Sequence, residues 1–195
     1  YFSETFELLE KCGYDIFGYV DKEDFGVPEC KYLGNDDDFL SNYSCTDFSL
    51  VNVPDSSEAR KLIYEKYKTA GFDFETVISP CANVSAGSII EEGCVIHDLC
   101  NISTGVKLGK CVRVNVMGNI MHDSSVGNYS TVAPNAVILG RCNIDSNCYI
   151  GSNSTVLPGI NISSYTTVGA GAVVTKNFDG NVTLVGVPAA DIKEH

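Results

Sequence analysis

Val114–Ile138 reads VNVMGN-IMHDSS-VGNYST-VAPNAV-I, and the sixfold spacing of its aliphatic residues decides the fold. The same spacing extends in both directions. From Ile78 every sixth position (Val84, Ile90, Ile96 and onward through Ile162, Val168 and Val174) is Ile, Leu or Val without exception. Four residues after each comes a smaller set that includes Ala82, Cys94, Cys100, Ser124, Ser130, Cys142 and Cys148, interrupted only by Val106, Val112 and Ile160. A period of six does not fit the 3.6 period of an amphipathic helix, and it is the signature of a parallel β-helix built from hexapeptide repeats. Short strands form flat faces, the aliphatic residue points inward once per face, and the small residue fills the corner. Gly87, Gly93, Gly105, Asn135, Asn147, Asn153, Gly159 and Gly171 fall three places after the aliphatic position, where a sharp corner calls for left-handed backbone.

Composition bounds what such a chain can do. Its 195 residues allow one or two domains, and the net charge is −12. The charge is uneven: residues 1–76 hold seven Lys or Arg against seventeen Asp or Glu, and residues 77–195 hold six against eight. An acidic chain repels phosphate backbones, so nucleic acid is not an expected partner. No apolar run suggests membrane insertion, and the nine cysteines, odd in number and without C-x-x-C, suit a reducing, cytoplasmic compartment. Cys94-x-x-His97-x-x-Cys100 has metal-like spacing, but both cysteines are in register with the core. No metal site is expected, and His97, directly after Ile96, should lie on the outer surface.

Ahead of the repeats, residues 1–76 read as a small parallel α/β unit. Helices are predicted at Phe2–Cys12, with Phe2, Phe6 and Leu9 on one side, and at Ser56–Ala70, with Ala59, Leu62, Ile63 and Tyr67 on one face. Strands are predicted at Ile16–Val20, Phe48–Val53 and Phe74–Ile78, and Lys22–Asp38 reads as an acidic connection. A doubly wound nucleotide-binding fold begins with a strand and a glycine-rich turn. Neither precedes the first helix here, so the expectation is a Rossmann-like unit whose first strand lies outside this sequence.

Chemistry is expected where the repeat carries reactive side chains that folding does not need. His122 stands two places after Ile120 and is followed by Asp123. An imidazole can take up a proton near neutral pH, and an adjacent carboxylate orients the ring and favours its protonated form. One coil is about eighteen residues, which places Thr104 and Gly140 on either side of His122 and leaves open space at the glycine. The alternative reading of His122 is an exposed histidine at a polar corner.

Hexapeptide repeats after a small α/β unit, H-D within them, V-G-A-G-A-V-V at 168–174 and V-G-V-P-A at 185–189 together resemble the sialic acid O-acetyltransferase family. That family includes bacterial N-acetyltransferases of UDP-linked 4-amino sugars. The resemblance implies a left-handed β-helix at 77–195 after a sugar-nucleotide-binding domain at 1–76. It also implies a homotrimer, acetyl-CoA as donor and active sites between neighbouring β-helices. By resemblance His122 is the general base, Asp123 its support, and Asn115 an asparagine near the acetyl group. Thr131 holds the place of a second histidine of many relatives. Gly140, Ser152 and Ala170 match the pantetheine groove, and Lys176 a phosphate contact. Asp21 matches an acidic strand-end residue of the sugar-nucleotide pocket, with Lys22 beside it. Asp55 lies near a further part of that pocket, where P-D-S-S replaces the usual G-N type sequence. The implied function is N-acetylation of a nucleotide-linked amino sugar in bacterial glycan biosynthesis by direct transfer. O-acetylation of sialic acid or a related sugar is the alternative, and a non-catalytic trimeric scaffold is the reading from another class.

Overall fold

The computed structural model describes residues 2–27 and 30–194. From Val77 onward the chain winds as a left-handed parallel β-helix, a triangular prism of about six coils. Face A, an eight-stranded sheet, begins with Val77–Ile78, Val95–Ile96 and Arg113–Val114 and ends in the antiparallel pair Thr183–Val185 and Ala190–Asp191. Face B has six strands, Asn83–Val84 through Val173–Val174, and face C has five, Ile89–Ile90 through Asn161–Ile162. Within the repeat each strand pairs in parallel with the one eighteen residues away, as in Asn119↔Val137 and Ile120↔Ile138. The predicted coil length is the observed one.

The inward aliphatic residues from Ile96 to Val174 form one continuous core. Burying each contributes roughly 1.5–3 kcal/mol. Ile78, at the open end of the first coil, remains 37% exposed, because no coil lies beneath it. The small corner position proves to have a polar duty as well. The side chains of Ser124 and Ser130 donate to the carbonyls of Leu139 and Asp145, both at 2.9 Å. The thiols of Cys94, Cys100, Cys142 and Cys148 likewise donate to Gly109, Asn115, Leu157 and Ser163, at 3.0–3.3 Å. Every acceptor lies fifteen residues on. At these six positions the corner takes a compact side chain that carries a donor, a duty that serine and cysteine share. Burial pushes the Cys148 thiol up to about 11, so it keeps its proton at neutral pH.

Every sixth residue from Gly93 to Gly171 has positive φ, between 52° and 75°. Ten of these are not glycine, among them Leu99, Tyr129, Arg141 and Tyr165, and none is β-branched. The coil geometry imposes the left-handed corner even where the side chain opposes it. Gly87 is an exception to the predicted series: it lies outside the left-handed region, and its restriction is steric, since a Cβ would approach Thr104 Oγ1 to 2.8 Å.

The N-terminal region holds three helices, α1 (Phe2–Lys11), α2 (Asp36–Asn42) and α3 (Ser57–Thr69). Its two-stranded parallel sheet pairs β1 (Ser49–Leu50) with β2 (Asp73–Phe74). Gly13 and Gly71, at φ +79° and +90°, end α1 and α3 where the sequence places their stops. Three expectations need correction. Ile16–Val20 forms no strand, only a bridge from Tyr19 to Tyr32. The acidic connection runs into α2, which starts at Asp36 and is capped by the Asn35 side chain accepting from the amides of Asp37 and Asp38 at 2.9 and 3.1 Å. The buried face of α3 is Arg60, Tyr64 and Tyr67, while Leu62 is 67% exposed.

That rotation of α3 follows from what it packs against. Phe39, Tyr64, Tyr67, Phe72 and Phe74 cluster on Cys111 and Tyr129, two left-handed corners of the prism. Arg60 donates to the carbonyls of Pro54, Asp55 and Tyr129 and, at 2.8 Å, to the Thr131 hydroxyl. Arg113, from face A, donates back to the carbonyls of Asn52 and Val53 at 3.2 and 2.7 Å. Two buried guanidinium forks thus join the region to the prism. Leu8 of α1 packs on Val77 and Val95 beside them.

Candidate active site

His122 and Asp123 lie on the edge between faces B and C. Asp123 takes the left-handed corner conformation, φ 59°, and its Oδ2 stands 2.9 Å from His122 Nδ1. Both side chains are exposed. The Asp123 amide is fixed by the Thr104 carbonyl at 3.0 Å, and the Arg141 amide donates to the His122 carbonyl at 2.9 Å.

The two coils flanking the pair explain its seat. A Cβ on Gly140 would lie 2.6 Å from His122 Nε2 and 2.8 Å from Cε1. The space left by this glycine is thus filled by the imidazole itself, not held open beside it. A Cβ on Gly105 would lie 2.5 Å from Asp123 Oδ1. Gly105 shapes the place of the carboxylate as Gly140 shapes that of the ring. With Nδ1 turned to Asp123, Nε2 is the nitrogen available for proton transfer.

Of the other residues singled out by resemblance, those of the prism divide between two of its edges and face A. Lys176 shares the B/C edge with His122 and Gly140; it is exposed, with its ammonium 5.2 Å from the Phe178 ring centroid. Asn115, Ser152 and Ala170 lie on the A/B edge, across the width of face B. Ser152 and Ala170 stack one coil apart there, and Ala170 is exposed. Thr131 lies on face A, 2% exposed, with its hydroxyl accepting from Arg60. The N-terminal region leaves that side chain no surface to offer a cofactor. Asp21 and Lys22 are exposed in the loop after Tyr19, and the Lys22 amide donates to Asp21 Oδ1 at 2.6 Å. Asp55 is exposed just before Ser56, the cap of α3.

His97 departs from its expected place on the open surface. It is half-buried beneath α1 and, with Glu4, Asn115, Val116 and Pro134, lines a cavity of about 400 Å³ on the A/B edge. Burial, reinforced by the Arg113 cation, lowers its affinity for a proton below the ordinary histidine value, while Glu4 and Asp98 act in the opposite sense. The eighteen-residue step that relates His122 to Gly140 also relates His97 to Asn115, so the signal for this pocket was in the sequence. Cys94 and Cys100 are core residues, as their register predicts. No group of three His, Cys, Asp or Glu among the described residues could hold a metal, and no helix among them is long and apolar enough to cross a membrane.

Prism, corner chemistry and the exposed His–Asp pair on its edge together define a hexapeptide-repeat protein. No family model matches the chain. It is 30% identical over 144 residues to GDP-perosamine N-acetyltransferase of Escherichia coli O157:H7, a match covering 71% of this chain and 65% of that protein. The acetyltransferase domain of PglB from Neisseria gonorrhoeae, solved with acetyl coenzyme A, superposes with a TM-score of 0.93 at 26% identity, covering 97% of this chain and 93% of that one. PerB from Caulobacter crescentus, solved with CoA and GDP-perosamine, gives 0.87 at 25% identity over 96% and 90%. The chain spans less than two thirds of the length of the curated relatives it matches first, and these relatives and structure neighbours are hexapeptide-repeat sugar acetyltransferases whose left-handed β-helix fold it shares.

Proposed function

We propose that this protein is an acetyl-CoA-dependent N-acetyltransferase acting on a nucleotide-linked amino sugar in bacterial glycan biosynthesis. The observation that carries the reading is the His122–Asp123 pair, bonded at 2.9 Å and exposed, with Nε2 seated over Gly140. His122 takes a proton at Nε2 from the acceptor's amine, and Asp123 holds the Nδ1 proton and offsets the charge that forms on the ring. Bound acetyl-CoA supplies the acetyl group as a thioester. The residues present suit it: small side chains at Ser152 and Ala170 expose the A/B edge, and Lys176 offers a cation on the B/C edge.

Because these contacts lie on two edges of one prism, the reading requires neighbouring copies, and a homotrimer meets that need by setting the A/B edge of one copy against the B/C edge of the next. Asn115 then reaches the acetyl group from the copy opposite His122. Residues 1–76 serve as the sugar-nucleotide domain, with Asp21, Lys22 and Asp55 as acceptor contacts, and the protein works in the cytoplasm, where acetyl-CoA and nucleotide sugars are at hand.

The test follows thiol release from acetyl-CoA with UDP-, GDP- and dTDP-linked amino sugars and with free and CMP-linked sialic acid. Turnover with an amino sugar alone is expected. Turnover confined to sialic acid selects O-acetylation, and silence with every acceptor, together with no binding of CoA, selects a scaffold. His122→Ala should lower turnover by about a hundredfold or more with the oligomer unchanged. Turnover near that of the parent protein removes His122 from the mechanism.

A further inference from the structure

Two residues lining the cavity on the A/B edge each carry a buried polar atom that the fold leaves without a partner. Asn115 is only 6% exposed, and its Nδ2 has no hydrogen-bond partner among the described residues. His97, on the same cavity wall, has a buried and unpartnered Nε2. A buried polar atom left unsatisfied costs about 1–3 kcal/mol, so two such residues on one cavity wall point to a ligand toward which their side chains turn. The neighbouring ladder position shows the contrast: the Ser79 hydroxyl, one coil below His97, is bonded to Asp98.

The geometry narrows the ligand's chemistry. Face A pairs Ile96 with Val114, so His97 and Asn115 sit side by side on adjacent coils, about 4.8 Å apart in the stacking direction. Nδ2 only donates, while a neutral imidazole nitrogen accepts or donates according to its tautomer, so the matching group is an oxygen that accepts from Asn115, and a hydroxyl serves whichever tautomer His97 takes. A phosphate offers acceptors alone and would meet Glu4 at the cavity wall. A cation would meet the N–H groups of Asn115 and the nearby Arg113. The cavity's volume suits a small ring.

Position identifies which ring. The cavity is bounded on one side by α1, through Glu4, and reaches Pro134, which stands on the same prism edge as Ser152 and Ala170. We infer that His97 and Asn115 grip a hydroxyl of the acceptor sugar next to its reacting amine, and that His97 thereby helps determine which acceptor is used. This inference rests on the proposed function and names a contact within it. The acceptor's nucleotide lies along the N-terminal region, its ring enters beneath α1, and its amine faces His122 of a neighbouring copy.

The test uses the intact protein and the 4-amino-sugar nucleotide that turns over, GDP-perosamine or a UDP-linked counterpart, beside its analogue lacking the hydroxyl vicinal to the amine. His97→Phe should raise the acceptor's KM about tenfold or more, leave kcat within about threefold and leave the KM for acetyl-CoA unchanged. That penalty should disappear with the deoxy analogue, and His97→Gln, which keeps a hydrogen-bonding end, should recover part of it. Independently, the His97 ring resonance, one of three histidines, should shift when the parent acceptor is added and stay in place with the deoxy analogue. Equal penalties on both acceptors indicate a merely structural role and overturn the inference, as does a His97 resonance indifferent to the acceptor. If the unaltered protein turns over no amino sugar, the proposed function fails and this inference with it. Normal turnover that is insensitive to residue 97 removes this inference alone.

Discussion

Inside the prism each inward aliphatic residue rests on a near-copy of itself eighteen positions away; the aromatic residues buried beneath the N-terminal region have no such counterpart. The first interior is aliphatic and its polar corners are closed by short side-chain-to-carbonyl bonds. The second is aromatic, and two guanidinium forks tie it to the prism. A repeated interior spreads its stability over many similar contacts, whereas a stapled one concentrates it in a few. The dyad stands on the first and the His97 cavity lies where the two meet, so one is held by repetition and the other by docking.

The strongest way to break this comparison is to put a charge into the repeated core. Ile138→Asp should cost about 4 kcal/mol or more, read as loss of the cooperative melting transition, while Lys107→Asp on the exposed side of face C should cost under about 0.5 kcal/mol. A smaller and more local effect is expected at the staple. Arg60→Leu leaves the carbonyls of Pro54, Asp55 and Tyr129 without their donor and should cost about 3 kcal/mol. Hydrogen exchange should then rise in α3 and β1 before it rises in the coils. Uniform exchange across both regions would mean that they unfold as one unit.

The site offers a finer test. Gly140→Ala pushes a methyl group against the His122 ring and should lower turnover about tenfold or more while the melting temperature hardly moves. Gly105→Ala disturbs Asp123 instead, but it also places a side chain at φ +71°, so it should cost about 1 kcal/mol of stability as well. Equal activity in both variants and the parent would show that the dyad's seat is not set by these glycines.

The smallest effect concerns acid. His97 binds a proton less readily in the folded protein than in the unfolded chain. Protonation below the ordinary histidine value therefore favours unfolding, and stability falls with pH in that window. His97→Gln should flatten this part of a stability profile recorded from pH 7.5 to 5; an unchanged slope would locate the acid sensitivity elsewhere.

How much the sequence reveals follows the same division. The faces, the coil length and the inward ladder were legible because each sixth residue repeats the evidence of the last. Corners were less so: Gly and Asn mark only some of them, and Leu99, Tyr129 and Tyr165 take left-handed backbone because the coil requires it. In the N-terminal region helix α2 was hidden in an acidic stretch, although Asn35 before three aspartates is a capping signal. The inward face of α3 could not be read from periodicity, since its decisive residue, Arg60, is polar and buried against carbonyls that only the assembled prism supplies. Of the candidate site, the His122–Asp123 pair and its glycine were visible by stacking. The His97 cavity obeys the same step, but the helix that covers His97 comes from ninety residues earlier in the chain.

The eighteen-residue register also limits how this chain can be rebuilt. An insertion of one whole coil between Gly140 and Ser152 would keep every side chain on its own edge while lengthening the distance from the imidazole to the upper part of the ridge. Removal of a single hexapeptide would instead turn all that follows by a third of a revolution, carrying Lys176 off the edge it shares with His122. Length and orientation are thus separately adjustable in this architecture, by different quanta of sequence.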